Sequence, residues 1–253
     1  MTETNSMIVH CHLRWDGVWQ RPQQILSRMA RNRRILFVEE PCFVENEPPR
    51  LVTREATNGI TVLQPHVPPQ AEFLPRVSAA NQQIVRRLVG PYIRENGFTG
   101  GIRWHYAPMA TYMRDLSNDR LVVYDCMDEL SAFKGAPPEL VDRERDLMRE
   151  AAVMFTGGLS MWLNKKQYHP NCHRFDSGVD VRHFQQATLP ETEVPEDARH
   201  LPHPILGYYG VIDERMDYDA IRALSEAFPD GTVLLIGPVT KVDPAELPKA
   251  KNI

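Results

Sequence analysis

Only four cysteines occur in 253 residues, and no apolar run approaches the roughly 20 residues that crossing a bilayer requires. Cys11, Cys42, Cys126 and Cys172 are widely spaced, the first three in or beside apolar runs. That pattern reads as reduced, buried thiols and not as a disulfide frame. The opening "MTETNSMIVHCHL" lacks a cationic start and a long apolar core, so no secretion signal is expected. A net charge of −4 gives no general electrostatic reason to expect nucleic acid. No G-x-G-x-x-G follows the first strand, which argues against a nicotinamide dehydrogenase. His169 and His173 are four apart, but Pro170 breaks the helix that would align them, so no metal site is expected there. No internal repeat and no low-complexity tract is found. A cytoplasmic protein is the expectation these absences leave.

What is present is a chain that is 42% hydrophobic, enough to bury a substantial core. Short β-rich runs alternate with helical patterns, the signature of β-α units stacked around a parallel sheet. Strands are expected over residues 7–12, 34–39, 60–64, 101–106, 121–125, 153–156 and 172–175. Helices fit residues 20–30, 79–96, 109–116, 138–151 and 160–168. Residues 185–204, "QQATLPETEVPEDARHLPHP", are rich in proline and acids and have no periodicity, which reads as a linker. The pattern then restarts as strand 205–211, helix 218–228 and strand 232–236. The expected organisation is a domain over 1–184, a linker over 185–204, and the opening of a second α/β domain over 205–253. That second domain is expected to be cut short, because ~100 residues is a more typical domain size.

Ligands of open parallel sheets sit beyond the carboxyl ends of the strands. The loop after the first strand, "LRWDGVWQR", carries unusual side chains for a connector: Trp15, Asp16, Gly17, Trp19 and Arg21. "WHYAPM" places His105 near the rim of the fourth strand, and "VVYDCMDEL" places Asp125, Asp128 and Glu129 at the end of the fifth. "GYYGVIDER" brings Gly210, Asp213, Glu214 and Arg215 to the end of the first strand of the second domain.

Taken together, "WDGVWQRPQQILSRMA", "ILFVEEP", "VVYDCMDEL", "MFTGGLSMWLNKKQYHPNCHRFDSGVDVRHF" and "ILGYYGVIDERMDYDAIRALSEAFPDGTVLLIGPV" resemble the GT-B glycosyltransferases of the glycosyltransferase 4-like group. The chain departs from the group's usual Pro-Asn-Gly at Asp176-Ser177-Gly178. The resemblance implies two Rossmann-like parallel-sheet domains, the second truncated. It implies a nucleotide-sugar donor held by the second domain and a glycan or lipid-linked sugar acceptor of the cell envelope held by the first. It further implies transfer without a bound metal or other cofactor, with retention of anomeric configuration. Gly17, Gly210 and Arg215 fall where the donor phosphates are contacted, and Trp15, Asp16, Trp19, Arg21 and Asp125 where the acceptor is held. Asp128 and His105 are the expected catalytic groups. The work would be done in the cytoplasm, with a peripheral contact at the inner face of the plasma membrane as a secondary expectation. This chain alone would turn over little, because the remaining nucleotide contacts would lie past Ile253.

Each residue also has a structural reading. Trp15 and Trp19 equally suit lids over the edge of the core. Arg21 equally suits an ion pair with Asp16; Arg215 favours the ligand-contact reading, with an ion pair to Asp213 or Glu214 as its alternative. Asp125, Asp128 and Glu129 suit a helix-capping cluster, and His105 a rim residue satisfied by water. His10 and His12 lie on one face of a strand with no acid partner evident, which reads as packed histidines. "RMARNRR", residues 28–34, reads as a solvated face more than as a patch for anionic lipid. Two other functions compete: a non-catalytic acceptor- or partner-binding domain, and a nucleotide-sugar epimerase on the same fold.

Overall fold

The computed structural model describes residues 5–57 and 59–253; residues 1–4 and 58 of the expected first domain lie outside the described residues. The chain separates into one unit running to Asp180 and a second from Val181 to Ile253.

Alternation along β1 (Ser6–Cys11) determines how the first unit is covered. Met7, Val9 and Cys11 join one core cluster and Ile8 joins another. Successive side chains of a strand point to opposite faces, so a strand apolar at every position needs cover on both. β2 (Arg34–Glu39) repeats the arrangement, with Ile35 and Phe37 on one side and Leu36 and Val38 on the other. α1 (Arg21–Met29) covers the first face through Leu26. α2 (Ala79–Glu95) covers the second through Val85, Val89 and Ile93. Its N-cap Ser78 accepts from the Asn81 amide and so satisfies one free donor of the first turn.

β6 (Ile102–His105), β7 (Leu121–Cys126), β8 (Val153–Thr156) and β9 (Cys172–Arg174) extend the sheet beyond β1, all parallel. α3 (Glu139–Glu150) sets Leu147 and Met148 against Tyr124 and Cys126 of β7. α4 (Leu159–Lys165) connects β8 to β9. On the other side of β2 runs β5 (Ile60–Val67), parallel to it, with the two-residue β3 (Cys42–Phe43) and the antiparallel β4 (Arg50–Thr57). Among the described residues the order is β3-β5-β2-β1-β6-β7-β8-β9, with β4 pairing β5. This is the mostly parallel, Rossmann-like α/β sheet the periodicity predicts.

Several local expectations change, among them the strand expected over 205–211, which ends at Tyr209, and the expected linker, which contains the short helix Glu196–Arg199. The helix expected over 109–116 is a 3-10 turn, Pro108–Met113. The helix expected over 160–168 ends at Lys165. β4 stands where no strand was expected, because "RLVTREAT" carries Arg50, Arg54 and Glu55 and offers no long apolar run.

In the second unit, β10 (Ile205–Tyr209) and β11 (Thr232–Ile236) pair in parallel, joined through α7 (Tyr218–Ala227). Asp217 caps α7, and Ile221 and Val233 are buried. Short helices α5 (Val181–Gln185) and α6 (Glu196–Arg199) precede this β-α-β unit. Among the described residues, no helix is long and apolar enough to cross a membrane.

Candidate active site

The loop between β1 and α1 is tied down from several sides. Glu39, at the end of β2, is almost fully buried and accepts from the Trp15 amide at 2.8 Å and from Arg14 at 3.2 Å. Gln23 of α1 donates to the carbonyls of Arg14 and Trp15. It also accepts from the Gln20 amide, closing a capping arrangement at the helix start. Gly17 donates to the Arg14 carbonyl in a turn, and a Cβ there would lie 3.2 Å from that oxygen. Trp15 is 3% exposed, edge-on to Phe37 at 5.2 Å, so it belongs to the core and presents no face to a ligand. Trp19 is 51% exposed and packs edge-on against Trp15.

Arg21 does not pair with Asp16. Its Nε lies 3.0 and 3.1 Å from the two carboxylate oxygens of Asp125, and its Nη2 lies 2.9 Å from Oδ1. The reason is placement: Arg21 is the first residue of α1. Asp125, like Val123 two residues earlier, projects from β7 to the face that α1 covers. Both side chains are at least 95% buried, and the pair joins residues 104 positions apart. Arg21 also donates to the Phe175 carbonyl, so one guanidinium ties α1, β7 and the segment after β9 together. Burial pushes the Asp125 carboxyl above the usual carboxylate range, while Arg21 and the Tyr106 hydroxyl pull it down. Asp16 pairs instead with Arg54 of β4 at 2.5 Å.

Beside the Arg21–Asp125 pair opens a hollow of about 510 Å³ within the first unit. Trp104 and Phe155 stack in it at 5.7 Å, Phe175 meets Phe155 edge-on at 5.4 Å, and Arg28 and Asp176 complete the polar lining. Flat apolar surfaces beside a fixed charge pair suit a ligand with one apolar face and several hydroxyls.

His105 is not a rim residue. It is fully buried and stacked on His10 at 4.7 Å, where burial holds both rings well below the usual histidine range. A neutral ring shut inside the sheet has no path to a substrate proton. His12, just after β1, is partly exposed, and its Nε2 lies 4.0 Å from the partly exposed Asp128 carboxylate. Burial lowers the His12 pKa and Asp128 pulls it back up. The sequence reading missed this acid partner because His12 and Asp128 are 116 positions apart. Glu129, next to Asp128, pairs with Lys165 at 3.0 Å, and Lys165 also reaches Glu144 at 2.8 Å. Tyr124 donates to Glu144 at 2.6 Å, so the loop after β7 is anchored from below.

In the second unit, Arg215 lies against Asp213 with Nε 3.0 Å from both carboxylate oxygens and Nη2 at 2.7 Å. The guanidinium holds the Asp213 carboxyl below the usual range. Gly210 and Gly237 end β10 and β11 at φ +154° and +151°. A Cβ on Gly237 would fall 1.7 Å from the Gly210 carbonyl oxygen, so only glycine allows the two strand ends to approach. Gly237 was not among the expected site residues, although "LLIGPV" ends a strand as "GYYG" does. A hollow of about 760 Å³ in this unit is lined in part by Gly207, Tyr208, Asp213 and Arg215.

No family model and no curated protein matches the sequence. Solved structures do match. An E. coli trehalose-6-phosphate structure bound with UDP-2-fluoro glucose superposes with a TM-score of 0.60 at 13% identity, covering 93% of this chain and 65% of that one. Sucrose-phosphate synthase from Thermosynechococcus elongatus gives 0.61 at 12%, covering 95% and 63%. An alpha,alpha-trehalose-phosphate synthase (UDP-forming) from Burkholderia xenovorans, in complex with glucose-6-phosphate, gives 0.57 at 12%, covering 94% and 66%. The chain therefore has the fold of the GT-B glycosyltransferases and spans less than two thirds of the length of these three structures.

Proposed function

We propose that this chain is part of a glycosyltransferase that moves a sugar from a nucleotide-sugar donor to a glycan or lipid-linked acceptor of the cell envelope. The observation that carries the reading is the buried Arg21–Asp125 pair beside an aromatic hollow, at the carboxyl rim of a sheet with this fold. Donors of the kind named for the neighbours, a UDP-glucose analogue among them, support the donor class.

In this account the first unit binds the acceptor. Arg21 and Asp125 hold its hydroxyls in one orientation, and Trp19 and Asp16, on the same loop, are the other proposed acceptor contacts. Asp128, with His12 beside it, accepts the hydrogen bond of the attacking hydroxyl and orients its oxygen. The acceptor oxygen bonds to the anomeric carbon on the face from which the diphosphate departs, and its proton passes to the departing phosphate, on which negative charge builds as that bond breaks. The residues proposed to contact the donor phosphates are Arg215, as a fixed positive charge, and Gly210 in the second unit, with Gly17 in the first. The proposal includes no metal ion or cofactor, and it takes retention of configuration from the family resemblance. It places the work in the cytoplasm, at the inner face of the plasma membrane.

The test is release of nucleoside diphosphate from UDP-glucose, UDP-galactose, ADP-glucose and GDP-mannose by the full-length protein. At least one is expected to be consumed, and Arg21→Ala and Arg215→Ala are each expected to slow it by ~10²-fold or more. Consumption of none, or unchanged rates in both variants, overturns the reading.

A further inference from the structure

A second hollow, of about 280 Å³, lies on the other side of the β1–α1 loop and shares no lining residue with the first. Its walls come from the loop (Arg14 and Asp16), from β2 (Glu39) and from the β4–β5 hairpin (Arg54 and Gln64), with Val52 and Val62 as apolar surface. Two guanidiniums and two carboxylates give its lining no net charge. We propose that it binds one neutral sugar unit, and that the acceptor is therefore an oligosaccharide whose second residue sits here. This rests on the reading of the first unit as the acceptor-binding half.

The chemistry of the walls selects the ligand. Glu39 forms the floor, accepting from Gln64 at 2.7 Å and from Arg14 at 3.2 Å, and it faces Arg54 at 3.7 Å. A phosphate or carboxylate placed in the hollow would meet that buried carboxylate and the Asp16 carboxylate, and would be repelled by both. A hydroxyl has no such conflict, since it donates to a carboxylate while accepting from a guanidinium. Reachable groups of both kinds remain. Asp16 is 71% exposed, and the Arg54 side chain, 35% exposed, faces both it and Glu39. Val52, half-buried on β4, offers apolar surface to the C–H face of a pyranose. The volume is close to the lower end of small-molecule sites, which fits a single ring.

Continuity supports an extended ligand. One loop lines both hollows, with Arg14 and Asp16 at one end and Arg21 at the other. Glu39 and Gln23 fix that loop by hydrogen bonds to its backbone, so the two hollows keep a constant separation.

The experiment is saturation-transfer NMR of the full chain with maltose, cellobiose, lactose and chitobiose at millimolar concentration, and with inorganic phosphate. At least one disaccharide is expected to bind. Arg54→Met and Gln64→Leu are each expected to weaken it about tenfold or more while the melting temperature stays close to wild type. Either folded variant suffices if the other fails to fold. Absence of disaccharide binding, wild-type binding in the folded variants, or phosphate displacing the sugar overturns the proposal. Disaccharide binding without turnover of any nucleotide-sugar removes the transferase reading and leaves this site standing. Turnover without disaccharide binding does the reverse.

Discussion

Arg21 and Asp125 satisfy each other in a place where neither charge has water, and removing one leaves the other stranded. Asp125→Ala is expected to lower stability by about 3–5 kcal/mol in urea unfolding. Asp16→Ala, which breaks an exposed pair with Arg54, is expected to cost about 1 kcal/mol or less. Equal losses in the two variants contradict the assignment of Arg21 to Asp125. A different residue governs acid behaviour. The His10 ring, 6.5 when unfolded, falls to about 3 in the folded chain because burial and nearby Arg103 oppose its charge. Protons between those values bind the unfolded chain and not the folded one. Stability is thus full above pH 6.5 and falls toward pH 3 by about 1.4 kcal/mol per unit for this ring, with His105 shifted in the same direction. Urea midpoints measured between pH 7 and 4 check this, and His10→Phe should flatten the slope. Cys11 and Cys126, buried and pushed up to about 12, should resist a thiol reagent at pH 8 until the protein unfolds. At this scale the sequence revealed which residues were unusual but not their partners. Arg21 was visible as an expensive loop residue. Its contact with Asp125 was not, because pairing across 104 positions depends on two side chains sharing one face of a folded sheet.

The elements were more legible where composition was one-sided. β2 and β7 are short apolar runs covered on both faces, and their pattern alone locates them. β4 was hidden because Arg50, Arg54 and Glu55 resemble a solvated loop until β5 supplies an antiparallel partner. α1 depends on one deep contact, Leu26, which is fully buried among Met7, Val9 and Phe37. Leu26→Ala is expected to cost about 2–5 kcal/mol, read from the denaturant midpoint. In the second unit, Gly237→Ala asks for a Cβ where the Gly210 carbonyl already lies, at a φ of +151°. It should destabilise that unit by more than about 1 kcal/mol in local hydrogen exchange, and exchange unchanged at β10 and β11 contradicts the close approach.

Across the whole molecule, a core-forming sheet brings loop residues that are distant in sequence to one rim, and the same sheet gives the chain the GT-B fold. Of the residues expected to act there, Arg21 and Asp125 line the aromatic hollow as a buried pair, Asp128 and Trp19 are partly exposed, and His105 and Trp15 are enclosed by the core. The sequence pattern could not separate these groups, since burial is decided by which strands flank a position and not by the position's own type. The proposed role of the Arg21–Asp125 pair is to orient an acceptor for glycosyl transfer. The direct measurement is steady-state transfer by full-length protein carrying Arg21→Lys, which keeps the charge and loses the planar two-point contact. A fall in kcat/KM of about 10²-fold is expected. Melting should stay within a few degrees of wild type, and diphosphate release should change less than transfer. Transfer at the wild-type rate by a folded Arg21→Lys protein contradicts that role.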